Sequence, residues 1–167
     1  MAALRTLQAA LRLVFAALLL VLAVLRPAAA EKDSAFGVWF TQDHDAAFDL
    51  YPCAGSSLCG RLIWMADESP DPGGEGPPHD LKNPDPAKRS HTLCGLELLT
   101  GFHQDEDGIW DGGRIYNPED GELYRVRIDV RGPFTLGLRG YILIPLLGRT
   151  QIWTRVPPGF DKRCRTE

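Results

Sequence analysis

IWDGGRIYNPEDGELYRVRIDV, the stretch at residues 109–130, indicates the fold of this chain more clearly than any other. Two strand-like runs flank a segment of Asn, Pro, Glu, Asp and Gly at 117–121, residue types that favour tight turns. After the turn, side chains alternate between charged and largely apolar, with Tyr124, Val126 and Ile128 on one face. Such alternation is typical of a half-buried β-strand. The stretch therefore predicts a β-hairpin with one face in a core.

The rest of the chain repeats this hairpin design. Further strand-like runs lie at 36–41, 46–51, 58–66, 93–102, 134–143 and 149–156. With the two strands of the hairpin they make eight, separated by turn signals about every ten residues, which predicts a sandwich or a barrel. A continuous meander of hairpins favours an all-β, antiparallel up-and-down barrel, because closure removes exposed strand edges.

One long segment interrupts the meander. Residues 67–90 contain six prolines and three glycines. A structureless loop of this length is uncommon in a compact domain, and is usually either functional or mobile. We expect its first part, up to Pro78, to be mobile. We expect 79–90, which contains the sequence DLKNP, to form an ordered turn closing over the barrel.

The first 30 residues have the features of an export signal. Arg5 and Arg12 precede an unbroken apolar run of 13 residues at 13–25. Three alanines follow at 28–30. This pattern predicts a secretory signal peptide at 1–30. An uncleaved anchor is the alternative, but the run is shorter than the roughly 20 residues that a spanning helix needs. We expect one barrel domain at 31–167, periplasmic or secreted, without stable membrane insertion after cleavage.

The charge balance argues against a nucleic-acid partner. Removing Arg5, Arg12 and Arg26 with the signal peptide lowers Lys+Arg from 18 to 15 against 22 acidic residues, so the net charge changes from −4 to −7. Proteins that bind nucleic acid generally need a basic footprint. We therefore predict no nucleic-acid binding, and the sequence does not identify a protein partner.

All four cysteines lie beyond the predicted signal peptide, at Cys53, Cys59, Cys94 and Cys164. An even number of cysteines in an exported chain predicts disulfides. Three pairings are possible, and we expect Cys53–Cys59 and Cys94–Cys164. A zinc site is the alternative, but the cysteine spacing matches no usual zinc motif.

Three polar segments contain residue types found in reactive or metal-binding sites. Residues 43–45 (DHD) have metal-ligand chemistry, 105–108 (DEDG) resemble half of a calcium loop, and 79–82 (HDLK) have acid–base chemistry. Each is explained more simply by turn formation, and neither Gly-x-Ser-x-Gly nor His-Glu-x-x-His is present. We predict a protein that is not an enzyme and holds no metal or cofactor.

Five sequence blocks, in order, are similar to a known family: GVWFT, CGRLIW, DLKNPDPAKRSHTLCGLELLTGF, WDGGRIYNPEDGELY and GRTQIWTR. Over nearly all of 36–155 the chain resembles the bacterial exported proteins classed as domain of unknown function 2147. The resemblance implies a lipocalin-like, or calycin-like, barrel exported to the periplasm. It implies no particular activity, because the family has no established biochemical role.

The lipocalin resemblance also implies a structural pair at one barrel end. Lipocalins often carry Gly-x-Trp on the first strand, with an arginine of the last strand laid over the indole. Here Gly37-Val38-Trp39 matches the first half, and Arg155 or Arg149 supplies the second. We expect Trp39 and Arg155 to close the barrel through a cation–π contact.

The leading functional hypothesis is a barrel that binds a small apolar or amphipathic ligand. Arg125 and Arg127 are expected on the outer face; the alternative places them inward, where they would bind an anionic head group. The alternative function is a non-catalytic envelope structural or interaction protein with a filled core. The expected lining of a ligand cavity consists of large inward side chains: Tyr116, Tyr124, Val126, Ile128, Phe134, Leu136 and Leu138.

Overall fold

The computed structural model describes residues 34–160 and Cys164. This part of the chain forms a closed barrel in which each antiparallel strand pairs with its neighbours in sequence and the last strand pairs with the first. The predicted eight-stranded antiparallel barrel is therefore confirmed. The strands are β1 Gly37–Phe40, β2 Ala46–Cys53, β3 Ser57–Met65, β4 Glu97–Gln104, β5 Trp110–Asn117, β6 Glu122–Gly132, β7 Thr135–Tyr141 and β8 Arg149–Arg155.

The predicted signal peptide lies outside the described residues. Within 34–160 and at Cys164, no helix has the length and apolarity needed to cross a bilayer. The regular helical structure described there consists of short 3-10 turns, at Ala54–Ser56, Pro86–Lys88 and Pro145–Leu147.

The meander places its connections at two ends of the barrel. One end, called here the open end, carries the β1–β2, β3–β4, β5–β6 and β7–β8 connections. The other, called the closed end, carries the β2–β3, β4–β5 and β6–β7 turns and the start of β1. These names follow from how the interior is packed at each end.

Large inward side chains fill the barrel from the closed end. Trp39, Phe102, Ile128, Leu136 and Trp153 are at most 1% exposed. Side chains with so little exposed surface line no void that could hold a water molecule, so the interior at this level is a close-packed core. Burying each of these side chains stabilises the fold by about 1.5–3 kcal/mol.

Arg155 seals the closed end over Trp39. Its guanidinium carbon lies 4.1 Å from the centroid of the Trp39 ring. Gly37, with φ of +119°, leaves room for this guanidinium, because a Cβ there would lie 2.6 Å from Arg155 Nη1. The guanidinium also donates hydrogen bonds to the backbone oxygens of Pro133, Phe36 and Ser34, at 2.6, 3.1 and 2.7 Å.

Both predicted disulfides are confirmed. Cys53–Cys59 spans the β2–β3 turn, and Cys94–Cys164 joins the end of the long β3–β4 connection to the C-terminal tail. Phe160, in the same tail, makes edge contacts with the rings of Phe40 and Trp64. The tail is thus fastened covalently to the β3–β4 connection and by aromatic contacts to β1 and β3.

The second part of the long connection forms an ordered turn, but this turn packs on the β5–β6 hairpin and is not seen to close over the barrel. Asp80 is 1% exposed and accepts hydrogen bonds from Tyr116 Oη at 2.7 Å and Asn83 Nδ2 at 2.6 Å. Lys82 Nζ donates to the backbone oxygen of Glu119 in the β5–β6 turn. The turn therefore packs on the β5–β6 hairpin. The mobility expected of the first part stays a prediction.

Two residues predicted to face inward lie elsewhere. A β-bulge between Trp110 and Gly113 inserts one residue into β5, and this reverses which side chains face inward beyond it. Ile115 consequently pairs with Tyr124 on the inner face, and Tyr116 points outward to Asp80. Phe134 is 69% exposed, because it lies in the turn before β7 rather than in the strand. The predictions that these two side chains face inward are wrong.

Candidate functional site

The inward face of the barrel changes character towards the open end. On β8, Trp153 and Gln151 share the inward face, in register with Leu136 and Leu138 on β7. Trp153 is 1% exposed and Leu138 5%, yet Gln151 belongs to the exposed residues. An inward side chain can be exposed only where the interior is open to solvent. The core therefore ends at the level of Trp153 and Leu138, and a mouth lies above it.

Gly140 shows that there is free space at this level. It is in register with Val126 on β6 and with Arg149 on β8, on the inward face. A Cβ built on Gly140 would have no neighbouring atom within 4 Å. A Cβ on either of two other inward glycines would overlap core side chains, Leu50 in the case of Gly60 and Phe102 in the case of Gly113. The interior is therefore packed at those glycines and open at Gly140.

Six residues of four adjacent strands form what is called here the mouth site. They share the inward face near the open end of β5, β6, β7 and β8. Leu138 is its apolar floor, and the others stand around or above it. The residues are Ile115, Tyr124, Leu138, Gly140, Arg149 and Gln151.

The polar groups of the mouth site differ in how many hydrogen bonds they already make with described residues. Arg149 is exposed and makes no side-chain hydrogen bond or ion pair with any other described residue. Gln151 uses its Oε1 to accept a hydrogen bond from Trp153 Nε1 at 2.8 Å, and its amide NH₂ is not used in any described hydrogen bond. The site therefore offers a cation and an amide donor above an apolar floor.

Tyr124 is linked to the β5–β6 turn at the rim. Its hydroxyl donates to Asp120 Oδ2 at 2.7 Å. This hydrogen bond raises the pKa of Tyr124 and lowers the pKa of Asp120. The hydroxyl is therefore tied to the β5–β6 turn, and the ring forms an apolar wall of the mouth.

The residues predicted to line a cavity separate into three groups. Val126, Ile128 and Leu136 face inward as predicted but are 0% exposed, so they belong to the filled core. Leu138 and Tyr124 reach the mouth, whereas Tyr116 and Phe134 do not face the interior. Sequence reasoning missed Gly140, Arg149 and Gln151. The alternation of Trp153, Gln151 and Arg149 on β8 was the signal that could have found two of them.

The other polar segments make structural contacts. His79 Nδ1 lies 2.7 Å from Asp71 Oδ2, His44 Nε2 lies 3.0 Å from Thr154 Oγ1, and Asp105 accepts a bond from the Ile109 amide at 2.8 Å. Arg125 lies on the outer face, as expected, paired in register with Arg114. Over the described part of the chain, no three His, Cys, Asp or Glu side chains are placed to hold a metal ion.

Comparisons with known proteins agree with the fold. The model of a family described as "Uncharacterized protein conserved in bacteria (DUF2147)" matches residues 37–155. A solved structure described as "Protein HP1028 from the human pathogen Helicobacter pylori belongs to the lipocalin family" is similar, with a TM-score of 0.64 and 22% identity over 75% of this chain and 84% of that one. At this identity the likeness shows the fold alone. A search of curated proteins found no match.

Proposed function

Since the chain belongs to the bacterial family DUF2147 and folds as a lipocalin-like barrel, we propose that it binds a small amphipathic anion in the mouth site. The observation that carries this proposal is the exposure of Gln151 on the inward face, directly above the buried Trp153. An open mouth above an apolar floor favours a ligand with an apolar part. Concave apolar sites with few, well-placed polar groups are the usual form of small-molecule sites.

Arg149 defines the chemistry of the head group. A guanidinium that has no partner among the described residues and lies next to an apolar surface is suited to a carboxylate or phosphate, which it can bind with two parallel hydrogen bonds. The amide NH₂ of Gln151 supplies a further donor beside it. We therefore assign the acidic head to Arg149 and Gln151, and the first part of the apolar tail to Leu138, Ile115 and the Tyr124 ring.

The filled core limits how deeply a ligand enters. Because Val126, Ile128 and Leu136 have no exposed surface, a long chain cannot extend to the closed end without rearranging the core. The proposed ligand is therefore a short amphipathic molecule, or a longer one whose tail remains partly outside the barrel.

We further propose that the protein acts outside the cytoplasm, in the periplasm or after secretion. Two disulfides support this location, because such bonds persist in oxidising compartments. The predicted signal peptide supports the same location.

The proposal is tested by titrating the purified protein with dodecanoate and dodecanol while following tryptophan fluorescence, since Trp153 lies below Gln151. Arg149→Gln is expected to weaken dodecanoate binding at least about tenfold, the loss typical of a charged hydrogen bond, and to leave dodecanol binding unchanged. Gly140→Leu fills the mouth and is expected to abolish binding of both. Arg61→Gln, on the outer wall of β3, is the matched control.

Two results would contradict the proposal: no response to either probe, or equal binding by Arg149→Gln and the native protein. The filled core makes a barrel acting only through its outer surface the second candidate function. A native protein that binds neither probe, and from which mass spectrometry detects no extracted lipid or small acid, would favour that candidate.

A further inference from the structure

The connection between β7 and β8 exposes an unusual amount of aliphatic surface at the open end. Five of its side chains are between 49% and 81% exposed, whereas soluble proteins keep contiguous apolar patches small unless they bind something. No charged residue interrupts the segment from 142 to 147. The five residues are Ile142, Leu143, Ile144, Leu146 and Leu147, and they are called here the apolar tip.

The apolar tip is held in its exposed position by hydrogen bonds from Arg139. This arginine donates to the backbone oxygen of Pro145 at 2.6 Å, to that of Leu146 at 3.2 Å and to Thr150 Oγ1 at 2.8 Å. A 3-10 turn at Pro145–Leu147 adds local rigidity. These contacts hold the backbone of the tip in place. The exposure of its side chains is therefore not the result of a loose loop that would collapse onto the barrel.

A row of arginines lies on the outer wall beside the tip. Arg114 is directly opposite Arg125 across β5 and β6, and Arg127 is directly opposite Arg139 across β6 and β7. Like charges placed opposite each other destabilise a sheet. Arg114, Arg125 and Arg127 also have no side-chain hydrogen bond or ion pair to any residue that the structure describes. None of the described contacts gives these charges a stabilising role in the barrel.

We infer that the open end docks on the surface of a lipid bilayer that contains anionic headgroups. In this arrangement the apolar tip enters the boundary between headgroups and acyl chains, as interfacial anchors do. The neighbouring arginines bind the phosphates, an attraction worth several-fold in affinity for each basic residue near the surface. The apolar and basic parts lie side by side, which is the pairing that such an interface needs.

The charges around the tip also decide how the barrel approaches. Glu119, Asp120 and Glu122 lie at the adjacent β5–β6 turn, so docking through the β7–β8 side keeps these acids in water. A second copy of the chain suits the surface less well, because symmetric pairing of two tips brings two arginine walls together. The inference does not rest on the ligand proposal, since no residue that carries it belongs to the mouth site.

Cosedimentation with vesicles tests the inference. The exported and processed protein, verified by intact mass, is mixed with vesicles of phosphatidylcholine alone or with one third phosphatidylglycerol. Binding is expected mainly to the anionic vesicles and should weaken with salt. Leu146→Ser/Leu147→Ser should lower binding at least about tenfold, because several buried carbons are lost. Arg125→Gln/Arg127→Gln should lower binding to anionic vesicles by about fivefold per arginine.

Two controls match these variants. Phe134→Ser removes an apolar side chain that is 69% exposed in the β6–β7 turn at the closed end, and Arg61→Gln removes an outer arginine of β3; neither should change vesicle binding. The inference is overturned if the native protein binds neither vesicle, or if the Leu146/Leu147 variant binds as well as the native protein. Sedimentation velocity showing a dimer that this variant abolishes, without vesicle binding, would assign the tip to a second copy instead.

Discussion

At the scale of single residues, the pair of Tyr116 and Asp80 shows how the long connection is joined to the barrel. Asp80 is a buried carboxyl group, and such a group is costly unless it is hydrogen-bonded. Tyr116 and Asn83 each donate to one of its two oxygens. Desolvation, together with the hydrogen bond to Asp80, raises the pKa of Tyr116 to about 12. The phenol therefore stays neutral in the folded protein at pH values where it would ionise in the unfolded chain.

Tyr116 should make stability depend on pH in the alkaline range. A tyrosine has a pKa of about 10 when unfolded, so the raised folded value contributes stability that is complete below pH 10. This contribution is lost as the pH rises from about 10 to about 12. Tyr116→Phe should lower the free energy of unfolding by about 1–3 kcal/mol at pH 8, because Asp80 loses a hydrogen bond. It should also remove this part of the alkaline loss.

Urea unfolding of the native protein and Tyr116→Phe between pH 8 and 11.5 measures the effect. The other tyrosines are common to both proteins, so their titration cancels in the difference. A difference in stability that does not shrink as the pH rises above 10 would show that the Tyr116 pKa is not raised by folding.

At the scale of elements, the seam between β1 and β8 is the least extensive pairing of the barrel. β1 has four residues, and only Trp39 with Arg155 and Phe40 with Thr154 are in register across the seam. The Arg155 side chain supplements this pairing with three hydrogen bonds. It donates to one backbone oxygen of the β6–β7 turn and to two of the segment before β1. Closure of the barrel therefore depends strongly on one side chain.

Arg155→Lys is expected to destabilise the protein by about 2–4 kcal/mol. Lysine keeps the charge, but it cannot cover the Trp39 ring with a planar group while donating to three divergent acceptors. Urea unfolding gives the loss, and hydrogen exchange should show weaker protection in β1. Arg131→Lys is the control: its surface ion pair with Asp129 predicts a change within about 0.5 kcal/mol. Equal losses in the two variants would mean that Arg155 has no special role in closure.

The elements also show what the sequence could and could not predict. Strand-like runs separated by turn signals predicted all eight strands. Alternation predicted the inward positions of Val126, Ile128, Leu136 and Leu138, because burial of one face imposes a period of two. It failed at Tyr116, since the bulge in β5 inserts one residue and reverses the alternation. A bulge depends on the partner strand, which no local pattern contains. The mouth site was missed for a related reason: how deep the core extends depends on volumes contributed by all eight strands.

At the scale of the whole molecule, the barrel consists of two zones with different packing. Below the level of Trp153, large side chains interdigitate with little exposed surface, and stability is determined there. Above it, the inward face carries Gly140, Arg149 and Gln151, which add little to the core and leave the mouth open. Both proposed interactions, with an amphipathic anion and with a lipid surface, lie at this open end.

Two inward glycines test this division directly. Gly113 and Gly140 are both in register with Val126, from opposite sides. A Cβ at Gly113 would overlap the ring of Phe102, which is 0% exposed, so Gly113→Ala should destabilise the protein by about 1–3 kcal/mol through overpacking. Gly140→Ala meets no atom and has an ordinary backbone conformation, so it should be neutral or stabilise by up to about 1 kcal/mol. Urea unfolding of both variants under one condition decides the matter, and a comparable loss at Gly140 would mean that the barrel is packed to its rim and has no mouth.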